Sequence, residues 1–547
     1  MRAEPTPPLA TDATALRPLL DTVLTALRTG AAERGGPIPP GGPDDVTARV
    51  REALGADPLP ETGTDPVAAL RTLTHALARG AADPAHPLCA AHLHTPPLAL
   101  AAAADLAASV LNPSMDSWDQ APAASALEVL VTEALAREVY ADTRRTPTAR
   151  PTPAPRPTPT DRPTPESRPA PPTPDALVTT GGTESNQLAL LLARERHGPG
   201  HTVQIVVGAN AHHSFHRAAW LLGLPEPVTV PTPNGTLDPV ALDEALTDLH
   251  GHGALLVVAT AGTTDTGRID PLPEIADLCD AHHADLHVDA AYGGPLLFSA
   301  TRRPLLAGLD RARTVTLDLH KLGWQPVAAG LLAVRDAHDL TALAHTADYL
   351  NAPDDTEAGL PDLLGRSLRT TRRPDILKIA VTLRALGRDG LGALVDQVCA
   401  LAHHLADLVE KTPGLQLYER PTLTTVLFRP ADADDTAVAA IRRTLLTEGR
   451  AVLGRAHEDG RLWLKATLLN PHTTPGDLQH LLDLVDRAHP AAPPSPASPV
   501  NPASPVNPVS PVSPVHPSAR PAPTTLPAST SPSAPSTPSA PTTPSAP

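Results

Sequence analysis

The sequence predicts an α/β chain: a mostly parallel sheet, an N-terminal helical segment before it, and a smaller α+β domain after it. Three observations predict this. From residue 175 onward, short β-branched or apolar runs alternate with longer helical ones, which requires a sheet covered on both faces. Before residue 144 the apolar spacing is helical. Beyond residue 391, helices and strands mix and the pattern closes on a helix. The organisation expected is therefore a helical segment over 1–143, an insertion over 144–174, a large domain over 175–390, a small domain over 391–489 and a tail over 490–547.

In the first segment, helical patterning up to about Pro60 is broken by a Gly/Pro loop at Gly35–Gly42. Segments Pro66–Ala78 and Leu98–Leu111 read as helices, and Ser125–Val139 sets Leu127, Leu130, Val131, Leu135 and Val139 on one face. In the large domain the strands expected are Val203–Val207, Leu255–Thr260, Ala284–Val288, Thr314–Leu317 and Gly330–Val334. Helices are expected over Glu184–Arg196, Pro239–Leu249 and Pro273–His282. The last part gives helices over Asp375–Leu386 and Leu391–Lys411, strands over Thr424–Arg429 and Leu462–Thr467, and a closing helix over Gly476–Ala488.

Of the 68 prolines, 12 fall within Thr146–Pro174 and 20 within Pro490–Pro547. These stretches hold almost no large apolar side chains and cannot bury enough surface to offset the entropy of ordering, so both are expected to be disordered. The net charge of −16 and the lack of any basic block argue against a nucleic-acid partner. Cys89, Cys279 and Cys399 stand far apart with no CxxC pair, as expected of reduced, buried thiols in a cytoplasmic protein without a metal site. Met1–Pro8 lacks the basic-then-apolar pattern of a signal peptide, and the 14 residues of Leu98–Leu111, with Asp105 inside, are too short to span a bilayer.

Ligands of open α/β sheets bind at the carboxyl ends of the strands. Three expected strands run into polar groups there: Asp289, Gly262-Thr263-Thr264, and Asp318-Leu319-His320-Lys321. A fourth element, Gly181-Gly182-Thr183-Glu184, opens a helix whose free N–H groups and dipole would seat a phosphate. Of 43 basic residues only four are lysines: Lys321, Lys378, Lys411 and Lys465. A lysine kept where arginine dominates suggests a need for an amine that can deprotonate and form an imine, which arginine cannot. Lys321, directly after a strand, is the candidate; Lys411 reads as a surface lysine.

The runs TTGGTESNQLALLLARER (179–196), AHHSF (211–215), ATAGTTDTGRIDPL (259–272), HVDAAYGG (287–294) and DLHKLGWQP (318–326) resemble the group II pyridoxal-phosphate decarboxylases. The likeness covers about residues 60–140 and 175–490 and is greatest to the branch acting on 2,4-diaminobutyrate and in siderophore pathways. It implies the aspartate aminotransferase-like architecture of fold type I, pyridoxal 5′-phosphate as cofactor, and a homodimer whose site is shared by two subunits. Lys321 matches the lysine that holds the cofactor, and His320 precedes it in the same motif. Asp289 matches the carboxylate that pairs with the pyridine nitrogen and keeps the ring an electron sink, although an aspartate there would also suit a helix cap. His212 matches the histidine stacked on the ring, with His213 structural beside it, and Ala291 the small residue on the other face. Gly182, Thr183 and Asp318 match phosphate-contacting positions and Thr264 a cofactor-contacting threonine.

Two departures from the aromatic decarboxylases stand out. They carry asparagine where this chain has Asp318, and an acid beside a phosphate dianion is electrostatically unfavourable. Such an acid is expected to hold backbone amides or Thr316. They also carry a tyrosine in the mobile loop that protonates the substrate carbon, whereas Glu357–Arg369 has none and Tyr349 lies before it. That leaves His212 or a water. Asp116, in NPSMDSWDQAPAASALE (112–128), stands where the aromatic enzymes are apolar, so it is expected to face a cationic ω-amine of an amino acid substrate. Asp116 and Asp119 would equally suit turns or caps. Other classes remain: a decarboxylase of aromatic or acidic amino acids, an aminotransferase or desulfurase on the same fold, and an inactive scaffold whose proline-rich tail binds partners.

Overall fold

The computed structural model describes residues 7–141, 172–198, 202–251, 253–345, 347, 350 and 352–489. The chain divides into two units, Met1–Ala491 and Ala492–Pro547, and the second lies outside the described residues. So do the insertion expected over 144–174, save 172–174, and Tyr349.

The N-terminal part runs α1 (Ala13–Arg34), α2 (Pro43–Leu54), α3 (Pro66–Gly80), a two-residue strand β1 (Cys89–Ala90), α4 (Ala99–Leu111) and α5 (Pro122–Val139). Asp12 starts α1 by accepting the N–H groups of Thr14 and Ala15, and Asp65 starts α3 by accepting that of Ala68. Helix α5 is not turned as expected. Leu135 and Val139 are buried, but Leu130 is 66% exposed. The inner face instead carries Glu128, Thr132 and Glu138, because the two acids meet buried arginines: Arg372 against Glu128, and Arg303 against Glu138.

The central part comprises β2 (Asp175–Thr179), α6 (Gly182–His197), β3 (Val203–Gly208), α7 (Ser214–Leu222), β4 (Val228–Val230), α8 (Pro239–Asp248), β5 (Ala254–Thr260), α9 (Leu272–His282), β6 (Asp285–Ala290), β7 (Thr314–Asp318) and β8 (Gly330–Val334). Its seven strands lie in the order β2-β8-β7-β6-β5-β3-β4. Only β8 runs against the others, so the sheet is mostly parallel. The register sets Thr260 of β5, Asp289 of β6 and Thr316 of β7 in one row near the carboxyl ends. Strand β6 continues through Ala290, so Asp289 lies inside the strand rather than after it and caps no helix.

A short α10 (Pro353–Glu357) leads to α11 (Ile376–Lys411), in which two helices meet at a break at Gly387, in line with the two helices expected over Asp375–Leu386 and Leu391–Lys411. Gly387 has φ 64° and ψ −172°, a conformation that breaks the helical run. Then follow β9 (Leu415–Leu417), β10 (Thr425–Pro430), α12 (Asp435–Thr447), β11 (Val452–Glu458), β12 (Arg461–Thr467) and α13 (Pro475–Ala488). The second sheet has the order β1-β11-β12-β10-β9, with β1 parallel to β11 through Cys89↔Val452 and Ala90↔Leu453. The expected boundary at residue 143 therefore does not hold for β1, which completes the C-terminal sheet. A large apolar core fills the space around the seven-stranded sheet, and a second one joins α11, α12, α13 and the smaller sheet. Among the described residues no helix is long and apolar enough to cross a membrane.

Candidate active site

Lys321, His320, Asp318, Asp289, Ala291, Thr264, His212, Gly182 and Thr183 all line one cavity of about 350 Å³, a volume in the range of small-molecule sites. Their convergence follows from topology. Adjacent parallel strands β5, β6 and β7 end on one rim, and each is followed by one of the polar runs. Helix α6 begins at the same rim. Gly181, at φ 152°, makes the sharp entry, and a Cβ on Gly182 would stand 3.1 Å from that of Ala291 and 3.3 Å from Asp318 Oδ2. Of the four lysines only Lys321 lines this cavity. Lys378 is buried between Asp105 and Asp375, and Lys465 is buried against Asp265. Lysine retention alone thus does not single out Lys321, since buried ion pairs keep lysines too.

Asn186, one turn into α6, ties the site together and was not singled out by the sequence reading. Its Nδ2 donates to Asp289 Oδ2 at 2.8 Å and to Ser214 Oγ at 2.9 Å. Its Oδ1 accepts from Thr316 Oγ1 at 2.8 Å, with His287 Nε2 at 3.1 Å. The second oxygen of Asp289 accepts the Ala291 N–H at 3.0 Å. Burial pushes His287 down to about 4, which keeps the ring neutral between Asn186 and Thr314 Oγ1. Helical spacing from Gly182 would have put Asn186 on the inner face, within a run already recognised.

Asp318 is not held by Thr316, which is engaged by Asn186. Its Oδ2 pairs with Lys321 Nζ at 2.8 Å, and His320 Nε2 lies 3.6 Å away. Burial lowers the proton affinity of both His320 and His212. His212 Nδ1 is tied to Ser214 Oγ at 2.9 Å, leaving Nε2 unpaired among the described residues. His213 stacks obliquely on it, with ring centroids 4.1 Å apart, and does not line this cavity. Glu184 closes the glycine turn by accepting the N–H and hydroxyl of Thr180, and Arg369 holds its other oxygen at 3.0 Å.

Three buried polar atoms around the cavity have no hydrogen-bond partner among the described residues: Asp318 Oδ1, Asn210 Oδ1 and Thr260 Oγ1. Leaving such atoms unpaired costs about 1–3 kcal/mol each, so the site suits a polar ligand that supplies partners. With an amine, a carboxylate fixed on both oxygens and a glycine turn opening a helix, the residues fit pyridoxal phosphate. Asp116 is different. It is buried, accepts from Gln120 Nε2 at 2.9 Å within its own turn, and is not among the residues lining the cavity of its own chain. Among the described residues no group of three or more His, Cys, Asp or Glu side chains is arranged to hold a metal ion.

A family model described as the pyridoxal-dependent decarboxylase conserved domain matches residues 163–431. The L-2,4-diaminobutyrate decarboxylase of Rhizobium meliloti is 40% identical over 441 residues, covering 78% of this chain and 83% of the relative. The protein of the same name from Acinetobacter baumannii is 31% identical over 430 residues, covering 73% and 79%. Among solved structures, the glutamate decarboxylase domain of diaminobutyrate-pyruvate transaminase and L-2,4-diaminobutyrate decarboxylase from Vibrio parahaemolyticus superposes with a TM-score of 0.73 at 30% identity, over 87% of this chain and 96% of that one. Oryza sativa TDC with PLP and tryptamine shares the fold at 22% identity, with a TM-score of 0.76 over 89% and 99%.

Proposed function

This chain belongs to the pyridoxal-dependent decarboxylase family and is a pyridoxal 5′-phosphate-dependent carboxy-lyase of L-amino acids, and from that premise we propose that Lys321 holds the cofactor and that the substrate is an L-diamino acid, foremost 2,4-diaminobutyrate. The observation that carries the site reading is that Lys321, Asp289 and the glycine turn of α6 line one cavity. The two diaminobutyrate decarboxylases support the substrate reading.

When bound, the cofactor supplies an electron sink for the electron pair left at Cα as CO2 departs. Lys321 binds it through its amine. Asp289, held by Asn186 and the Ala291 N–H, would pair with the pyridine nitrogen and keep it protonated. The N–H groups at the start of α6, with Gly182 and Thr183, take the phosphate, and Thr264 contacts the cofactor. Ala291 would leave room for one face of the ring, and His212, a neutral imidazole, would pack on the other. As a neutral imidazole His212 is not itself the acid; its Nε2 would hold a water that relays a proton from solvent to the position the carboxyl group leaves. A desulfurase reading lacks support, because Cys399 is buried and its thiol is pushed up to about 11.

We read the active form as a cytoplasmic homodimer in which 1–143 serves assembly, 175–390 binds the cofactor and 391–489 forms the small domain. On this reading Asp116 serves the site of the partner copy, since it does not line the cavity of its own chain. The test is a panel of L-amino acids incubated with cofactor-loaded protein, with CO2 and amine measured. Diamino acids should be turned over fastest; faster turnover of an aromatic or acidic amino acid sinks the substrate reading and leaves the cofactor chemistry standing.

A further inference from the structure

Asp318 is an acid at a position that would face a phosphate. Its side chain is 2% exposed, Oδ2 is paired with Lys321, and Oδ1 is buried without a partner. It packs against the glycine turn: a Cβ on Gly182 would meet Oδ2 at 3.3 Å, and one on Gly181 would meet Oδ1 at 3.7 Å. A carboxylate only accepts hydrogen bonds, and the oxygens of a phosphate dianion do the same. The two cannot bond unless one carries a proton, and burying like charges together is costly.

We propose that Asp318 takes a proton from solvent as the cofactor's phosphate docks, which turns Oδ1 from an unpartnered acceptor into a hydroxyl that donates to a phosphate oxygen. This rests on the reading that the phosphate seats on Gly181–Thr183. The charged and titratable groups around Asp318 are consistent with it. Lys321 pairs with Oδ2, so the proton falls on Oδ1, which faces the glycine turn and has no partner among the described residues. Asp289 across the cavity is held by Asn186 and Ala291, and Glu184 on α6 by Thr180 and Arg369, so neither contacts the incoming phosphate's proton donor. His320 and His212 are kept neutral by burial, and Lys378 of α11, whose charge acts on His320, is tied to Asp105 and Asp375.

The full chain stripped of cofactor is titrated calorimetrically with pyridoxine 5′-phosphate, which has the phosphate but no aldehyde, in buffers of differing ionisation enthalpy. Near pH 8, well above the second phosphate pKa of about 6, about one proton should be taken up per ligand, and affinity should fall about tenfold per pH unit. Asp318→Asn and Asp318→Ser should take up none and bind with an affinity independent of pH. Absence of uptake in the unaltered chain overturns the proposal, as does uptake persisting in both variants. Uptake that survives in Asp318→Asn but vanishes in His320→Gln assigns the proton to the histidine and also overturns it. The phosphate seat is read separately. Pyridoxine without phosphate should bind about tenfold or more less tightly, and Thr183→Ala should weaken pyridoxine phosphate binding without changing proton uptake. Equal affinity for the two ligands would show the seat to be misplaced, whatever the protons do.

Discussion

Asn186 and Asp289 are joined across α6 and β6 by a 2.8 Å hydrogen bond between two buried side chains. The same amide holds Ser214 and Thr316, so one residue orients the carboxylate, the start of α7 and the polar row on the sheet. Asn186→Ala should leave Asp289 mobile and Thr316 unpaired, at a cost of about 1–3 kcal/mol in stability. Cofactor binding should weaken about tenfold or more, measured by fluorescence titration of the stripped chain. Unchanged binding would show that Ala291 alone suffices to hold Asp289.

Lys321 should carry the cofactor. Borohydride reduction of the loaded protein should fix the cofactor covalently on the peptide containing Lys321, and Lys321→Ala should lose the visible absorption band. Label on Lys378 or Lys465 would overturn the assignment.

Asp289→Ala should bind cofactor weakly and lose most activity, because nothing would keep the ring nitrogen protonated; Asp289→Glu should retain part of it. Kinetics at saturating cofactor separate the two effects, and full turnover by Asp289→Ala would end the electron-sink role.

His287 gives a pH signature of stability. Its native proton affinity is depressed to about 4 by burial, against 6.5 for the free side chain. Between those values the unfolded chain binds a proton that the native chain does not, so stability is complete above about pH 6.5 and falls as pH drops towards 4. The loss amounts to roughly 3 kcal/mol. Urea unfolding across this range should show that slope, and His287→Gln should flatten it; an unchanged slope in the variant places the effect elsewhere.

Asp116→Asn should raise KM for the diamino acid by about tenfold or more and affect a neutral substrate much less. Mixed dimers of Lys321→Ala and Asp116→Asn chains should regain one normal site, since each intact residue comes from a different copy. No recovery on mixing, or a fully active monomer by sedimentation, defeats the shared site.

Most of the large sheet was legible because its strands are apolar or β-branched runs of ordinary length, such as Ala254–Thr260 and Gly330–Val334. Strands β1, β4 and β9 escaped notice because two or three residues carry no period, β2 because it directly follows the proline-rich run, and β11 because Gly454 and Arg455 interrupt its apolar pattern. Lys321, Asp289 and the glycine turn could be read because each ends or follows a recognisable element. Asn186 and Asn210 could not, because an amide's role depends on partners brought from distant strands and loops: Asp289 and Thr316 for one, Gly235 and Asp270 for the other. The orientation of α5 was misread for a similar reason. Its buried face is set by Arg303 and Arg372, far along the chain, rather than by local hydrophobicity.

The pairing of Cys89–Ala90 with Val452–Leu453 makes the smaller sheet a clasp between the two ends of the folded chain. During synthesis β1 emerges early and must wait for nearly the whole polypeptide before its partner exists. Once made, β11 and β12 can form a hairpin, but until β1 docks on it the outer edge stays open to pairing with other chains. A fragment beginning at residue 391 would keep that edge open permanently, and supplying a peptide that spans Leu88–Ala91 should close it.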